Sequence, residues 1–196
     1  MRCLCKRLEE NGVDLSQMHA LEFFAREGDW QAVAYSDKVY SIDAWEIDPA
    51  FREGLKQNLP MARITIGDSF NLAKIPKNSH KFDFIVFDNP QGHFGPNNCY
   101  CEHFQALDLI PLLMPEECIA IFNVNKRPFD YAKHLNWKAS REKYYGSLKT
   151  EEMDSQILLD FYQEKFLNLG LTTVFSFEEQ RNMEYLSYLA FSLKRM

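Results

Sequence analysis

The sequence predicts an α/β fold built on a seven-stranded, mostly parallel sheet with helices on both faces. Three observations predict it. Strand-like and helix-like segments alternate from residue 18 to about residue 170, the pattern of a βαβ series. Residues 82–87 are nearly all apolar, as expected for a central parallel strand buried on both faces. Two closing strand-like runs, 171–177 and 185–193, are joined by a short polar link over residues 178–182. No crossover helix fits between them, so they must pair antiparallel.

The elements follow in order. The first strand is expected over residues 20–25, running into Arg26-Glu27-Gly28-Asp29-Trp30 and a helix through about Ser36. The second spans 39–45 and ends at Glu46-Ile47-Asp48. Asp48-Pro49 is a helix start, with a capping carboxylate followed by a proline suited to the first helical position. Phe51, Leu55 and Leu59 recur every four residues and give that helix one buried stripe, closed by Pro60. The third strand covers 62–66 and leads to Gly67-Asp68, and the fourth ends at Asp88-Asn89-Pro90. A helix is expected on Phe104, Leu107, Ile110 and Leu113, with Pro111 kinking or breaking it. Residues 118–124 form the fifth strand. Leu158, Tyr162, Phe166 and Leu169 form a helical stripe stopped by Gly170. A short helix over residues 8–15 is expected to pack on the sheet.

The chain has 196 residues, enough for one domain over 1–196 that buries roughly 70% of its unfolded surface without staples. With 46% hydrophobic and 26% charged residues it is globular rather than disordered. A net charge of −6 excludes a chain that is basic throughout. The charge is uneven: residues 126–149 carry seven bases (Lys126, Arg127, Lys133, Lys138, Arg141, Lys143, Lys149) against two acids (Asp130, Glu142), a local +5 that leaves −11 for the rest. The five cysteines include the pairs Cys3/Cys5 and Cys99/Cys101, whose C-x-C spacing is not the usual zinc pattern. No metal is expected. No secretory leader and no apolar run near 18 residues is visible, so reduced thiols in the cytoplasm and no membrane association are the expectation.

Four loop motifs at the ends of these strands carry a resemblance. Glu22-Phe23-Phe24-Ala25-Arg26-Glu27-Gly28 has an acid and, six positions later, a glycine. Glu46 stands 24 residues after Glu22, at the end of the second strand. Gly67-Asp68-Ser69 follows the third strand, and Asp88-Asn89-Pro90-Gln91 the fourth. Together with the element order, these resemble the class I (Rossmann-like) S-adenosylmethionine-dependent methyltransferases over about residues 18–193. The glycine motif departs from the family's pattern, since Phe24 and Arg26 stand where two further glycines are typical.

The resemblance implies S-adenosylmethionine as cofactor. It implies that residues 18–125 form the cofactor-binding half and 126–196 the substrate side, with 1–17 an extension. Glu22, Phe23, Phe24 and Gly28 would make the first cofactor loop. Glu46 would accept hydrogen bonds from the ribose, Ile47 would line the adenine pocket, and Asp68 with Ser69 would meet the adenine edge. Asp88, Asn89 and Pro90 would position the methyl acceptor, with Asp88 also near the cofactor. The last motif is similar in part to the (Asp/Asn)-Pro-Pro-aromatic loop of amine methyltransferases, although Gln91 and Gly92 stand where a proline and an aromatic are expected. A sulfonium methyl is already electrophilic, so in-line positioning supplies much of the rate. A base is needed only if the acceptor must lose a proton, and His93 is the candidate.

The acceptor itself is not readable. The bases of residues 126–149 are interleaved with Phe129, Tyr131, Trp137, Tyr144 and Tyr145, which suits an anionic or nucleic-acid substrate as well as a solvated helix face with its rings in the core. Two alternatives to a methyltransferase are an aminopropyl-type transferase on the same fold and a non-catalytic binding protein that has lost the cofactor. The missing glycines favour the latter.

Overall fold

The computed structural model describes residues 1–127, 131–146, 148 and 153–196. Seven strands form one sheet: β1 (His19–Glu22), β2 (Ser41–Glu46), β3 (Arg63–Ile66), β4 (Phe84–Phe87), β5 (Glu117–Asn125), β6 (Leu171–Gln180) and β7 (Leu186–Arg195). Their order is β3-β2-β1-β4-β5-β7-β6. The first five are parallel, and β7 runs antiparallel between β5 and β6. The order reverses between β1 and β4, so a crevice opens at their carboxyl ends.

Side chains alternate across the sheet. Phe84, Val86, Ile119 and Ile121 enter one core, together with Leu4, Cys5 and Leu8 of α1 (Arg2–Glu10) and Leu55 of α2 (Arg52–Asn58). Ile85, Phe87, Ala120 and Phe122 enter the other. That second core is covered by α3 (Ser69–Ala73), α4 (Phe104–Leu107), α5 (Ile110–Leu113) and α7 (Ser155–Asn168). Helices therefore lie on both faces, and β4 is buried along its whole length.

Several sequence expectations are corrected. β1 stops at Glu22 rather than Ala25, and the helix expected through Ser36 is reduced to turns and a single 3-10 turn at Ala32–Ala34. The backbone is turned out of helical geometry at Arg26 (φ +47°) and Gly28 (φ +67°). The N-terminal helix is Arg2–Glu10, not residues 8–15, because Gly12 at φ +84° ends it. The helix on Phe104 to Leu113 is two short helices, with Pro111 in the first turn of the second. A two-residue antiparallel ladder, His93–Phe94 with Tyr100–Cys101, was not foreseen. α6 (Leu135–Tyr145) occupies part of the basic stretch.

Candidate functional site

The loop after β1 keeps a glycine-like path without its glycines. Arg26 sits in the left-handed region at a position where the family has glycine. Its N–H donates to Glu46 Oε2 at 2.7 Å, which pins that turn to the end of β2. Gly28 serves packing instead: a Cβ there would lie 2.7 Å from Leu59 Cδ1 of the neighbouring helix region. Phe23 is fully buried in the core and offers only its backbone to the loops, its carbonyl accepting from Ser69 Oγ at 2.6 Å. Glu22 is buried and accepts a hydrogen bond from Tyr35. Burial holds its carboxyl well above the usual carboxylate range, the Tyr35 bond acts the other way, and the Asp88 charge adds to the rise.

Beyond this loop lies an aromatic pocket of about 220 Å³ at the carboxyl ends of β2 and β3. Phe24, Phe70, Phe94 and Tyr100 form its apolar walls, and Glu46, Ile47, Asp68 and Ser69 its rim. Phe70 and Tyr100 stack at 3.8 Å between centroids. Glu46 takes a second backbone bond, from Asp48 N–H to Oε1 at 2.8 Å. A carboxylate has about four acceptor sites, so two remain for a ligand. Ile47 is 56% exposed although apolar, a side chain held ready to pack against something flat. Asp68 caps α3 through Phe70 N–H at 2.9 Å and accepts from Asn71 Nδ2 at 3.1 Å. Between Glu22, Phe24, Gly28, Trp30 and Asp88 the space shrinks to about 20 Å³, close to one water-sized sphere.

The loop after β4 is tied to β5. Asn89 Oδ1 accepts from Asn123 N–H at 3.1 Å, and Asn123 Nδ2 donates to Asp88 Oδ1. Arg181, from the link between β6 and β7, donates to Asp88 Oδ1 at 3.1 Å and to Asn123 Oδ1 at 2.6 Å. Its guanidinium lies over the rings of Tyr188 (4.7 Å) and Trp30 (5.6 Å). Asn123 and Arg181 were missed from sequence. Asn123 had a signal, a polar residue inside an apolar strand; Arg181 had none beyond lying in the polar link.

Residues 90–94 divide the site. Pro90 and Phe94 line the aromatic pocket, while Gln91, Gly92 and His93 line a larger cavity of about 960 Å³ on the opposite side. This is strand alternation at work: His93 and Phe94 are neighbours in the ladder and point opposite ways. His93 Nε2 lies 2.9 Å from Ser140 Oγ of α6. The structure thus brings Glu46, Ile47, Asp68, Ser69, Phe24 and Pro90 together, puts Glu22, Gly28 and Asp88 around the adjoining narrow space, and places His93 in the second cavity.

The basic stretch is less basic in space than in sequence. Lys126 pairs with Glu178 at 2.5 Å and Arg141 with Glu102 at 2.6 Å. These two acids come from outside the stretch and reduce its +5 to +3. Lys138 lies 3.7 Å from Glu142. Of the aromatics, Tyr144 and Tyr145 belong to the core cluster rather than to a surface, and Phe129, Asp130 and Lys149 lie outside the described residues. Glu102 and Arg141 are fully buried. Glu102 Oε1 also accepts from Trp137 Nε1 at 2.8 Å, and Arg141 Nη2 donates to the Asn125 carbonyl at 2.7 Å. This network clamps α6 to the loop at 102 and to the end of β5.

The two C-x-C pairs each split into one exposed and one buried thiol, and burial raises Cys5 to about 11 and Cys101 to about 12. Among the described residues no three His, Cys, Asp or Glu side chains converge to hold a metal, and no helix is long and apolar enough to cross a membrane.

No protein-family model and no curated protein sequence matches the chain. Solved structures do match. TYW2 of M. jannaschii in complex with AdoMet aligns at TM-score 0.58 and 9% identity, covering 100% of this chain and 77% of that one. A Haemophilus influenzae protein provisionally named a methylase aligns at TM-score 0.57 and 17% identity over 97% of both chains. A Pyrococcus horikoshii protein provisionally named a transferase aligns at TM-score 0.55 and 10% identity, covering 98% of this chain; the chain spans only 63% of its length. Identities this low speak for the fold alone, and the fold is that of the class I methyltransferases.

Proposed function

We propose that the chain is a methyltransferase that holds S-adenosylmethionine at the carboxyl edge of β1, β2 and β4. The observation that carries this reading is Glu46, at the end of β2 on the rim of an aromatic pocket, with Ile47 and Asp68 beside it. The nucleoside end fits. Glu46 has two free acceptor sites for ribose hydroxyls, Ile47 and Phe94 offer flat apolar contact, and Asp68 lies at the edge where an exocyclic amine would fall. The amino-acid end points to the 20 Å³ space beside Glu22 and Asp88, so its entry displaces a side chain. Trp30, 61% exposed and lying under Arg181, has the room to move.

The bound cofactor supplies an electrophilic methyl group. The chain's own part is to orient the acceptor and manage its proton. Asp88, Asn89 and Pro90 form a loop braced by Asn123, which fixes where an acceptor can stand. His93 faces the large cavity and can take a proton there, oriented by Ser140.

Calorimetry with S-adenosylmethionine and S-adenosylhomocysteine tests the reading. Micromolar binding is expected, weakened tenfold or more in Glu46→Ala (about 1.4 kcal/mol). The narrow space beside Glu22 favours one other reading, a non-catalytic protein that binds only the nucleoside. Binding of 5′-methylthioadenosine without binding of either full-length ligand would select it.

A further inference from the structure

We propose that the Asp88–Arg181 ion pair opens to admit the amino-acid end of the ligand as a zwitterion, the ammonium going to Asp88 and the carboxylate to Arg181. This deepens the methyltransferase reading and rests on it for the identity of the ligand.

Charge comes first. Glu22, Arg26, Asp29 and Asp88 line the narrow space after β1, and Arg181 joins it through Asp88 at 3.1 Å. Glu22 is 2% exposed, accepts a hydrogen bond from Tyr35 and meets no base among the described residues. A buried carboxyl without a cation stays neutral, and the charge of Asp88 beside it works the same way. Asp29 is exposed, so water screens it. Arg26 is exposed as well, and its guanidinium lies 5.9 Å over the ring of Phe51, which lines neither this space nor the aromatic pocket. Asp88 and Arg181 are the charges both sheltered and close, their side chains 20% and 13% exposed.

Net charge then selects the ligand. A lone ammonium drawn to Asp88 strands the guanidinium, and a lone carboxylate drawn to Arg181 strands Asp88; a sheltered charge without its partner is costly. A zwitterion inserted between the two leaves every charge facing its opposite and the sum unchanged. The geometry suits this exchange. Arg181 spends only Nη1, which donates to Asp88 Oδ1 at 3.1 Å and to Asn123 Oδ1 at 2.6 Å. Nε and Nη2 make no hydrogen bond among the described residues, and they are the fork that takes a carboxylate in two parallel bonds. Asn123 also donates to Asp88, so it keeps hold of both partners as they part. A cavity of about 510 Å³, lined by Arg181, Trp30 and Tyr188, gives the guanidinium room to swing.

Calorimetry on the full chain tests this with S-adenosylhomocysteine, its decarboxylated analogue, its deaminated analogue, and 5′-methylthioadenosine, which carries neither charge. S-adenosylhomocysteine is expected to bind roughly tenfold or more tightly than either singly charged analogue. Arg181→Gln should weaken S-adenosylhomocysteine by roughly tenfold or more, yet bind the decarboxylated analogue at least as tightly as the parent does. Asp88→Asn should show the mirror image, weakening S-adenosylhomocysteine and sparing the deaminated analogue. Binding of 5′-methylthioadenosine should be unchanged in both, which also reports that the variants are folded. Should Arg181→Gln unfold, Arg181→Lys carries the same comparison: it keeps the charge, loses the fork and should retain part of the preference. A residue that merely braced the loop would affect all four ligands alike. That outcome, a parent with no preference for S-adenosylhomocysteine over its decarboxylated analogue, or a carboxylate-specific loss in Arg26→Gln instead, would each overturn the proposal and leave the cofactor reading standing. Binding of 5′-methylthioadenosine alone, or of none of the four, would overturn both.

Discussion

Replacing Arg141 with methionine tests what holds the substrate-side half in place. Arg141 and Glu102 are both fully buried at 2.6 Å. Methionine nearly preserves the length of the side chain but removes the charge that neutralises Glu102 and the donor that satisfies the Asn125 carbonyl. Glu102 then keeps only the Trp137 N–H. Stranding one member of a buried pair costs about 3–5 kcal/mol, a large share of the roughly 5–15 kcal/mol that stabilises a domain. With an m-value of about 2 kcal/mol/M, the urea midpoint should drop by about 2 M. The double variant Arg141→Met/Glu102→Gln removes both charges and leaves an amide oxygen for Trp137, so it should recover roughly 2 kcal/mol of that loss as a coupling energy. An Arg141→Met midpoint within 0.5 M of the parent, or a double variant no more stable than the single, would refute this account of the clamp.

Two further outcomes are expected. Glu22 is held protonated by burial well above its ordinary value of 4.5, so the folded chain keeps a proton that the unfolded chain releases. Its contribution is fully present below pH 4.5 and is lost as pH rises toward the folded pKa. Glu22→Gln has no such proton, and its melting temperature relative to the parent should climb between pH 4.5 and pH 8; parallel melting curves would contradict the assignment. Arg26 and Gly28 both have positive φ but should respond differently. Arg26→Gly relieves about 1 kcal/mol of left-handed strain and gives up a similar amount in unfolded-state entropy, ending near the parent. Gly28→Ala forces a methyl to within 2.7 Å of Leu59 and should cost about 2 kcal/mol or more in urea unfolding.

The sheet was legible because its signal is periodic and one-dimensional. An apolar run such as residues 84–87 and a capped start such as Asp48-Pro49 announce themselves, and the antiparallel end follows from the lack of any crossover. Glu46, Ile47 and Asp68 were legible because strand ends place them. The site's other half was not, because it depends on contacts between distant residues. Arg181 reaches Asp88 across 93 positions and Arg141 reaches Glu102 across 39; no local pattern encodes either. Nor can counting along the chain see that part of the charge of residues 126–149 is offset from outside the stretch, as where Glu178 comes to Lys126. The helix after β1 failed for a different reason. Its composition permits a helix, but the left-handed turns at Arg26 and Gly28 spend those residues on reaching Glu46 and α2.

One thin segment of chain, residues 90–94, faces both cavities. Anything that orders this segment from one side lowers the entropy that a ligand on the other side must still remove, so binding on the two sides is thermodynamically linked through the segment itself. Linkage is reciprocal: the factor by which a ligand on one side tightens the grip on a ligand on the other equals the factor in the reverse direction. A wall this thin therefore makes the order of arrival a matter of kinetics, and it makes the affinity on one side a gauge of whether the other side is full.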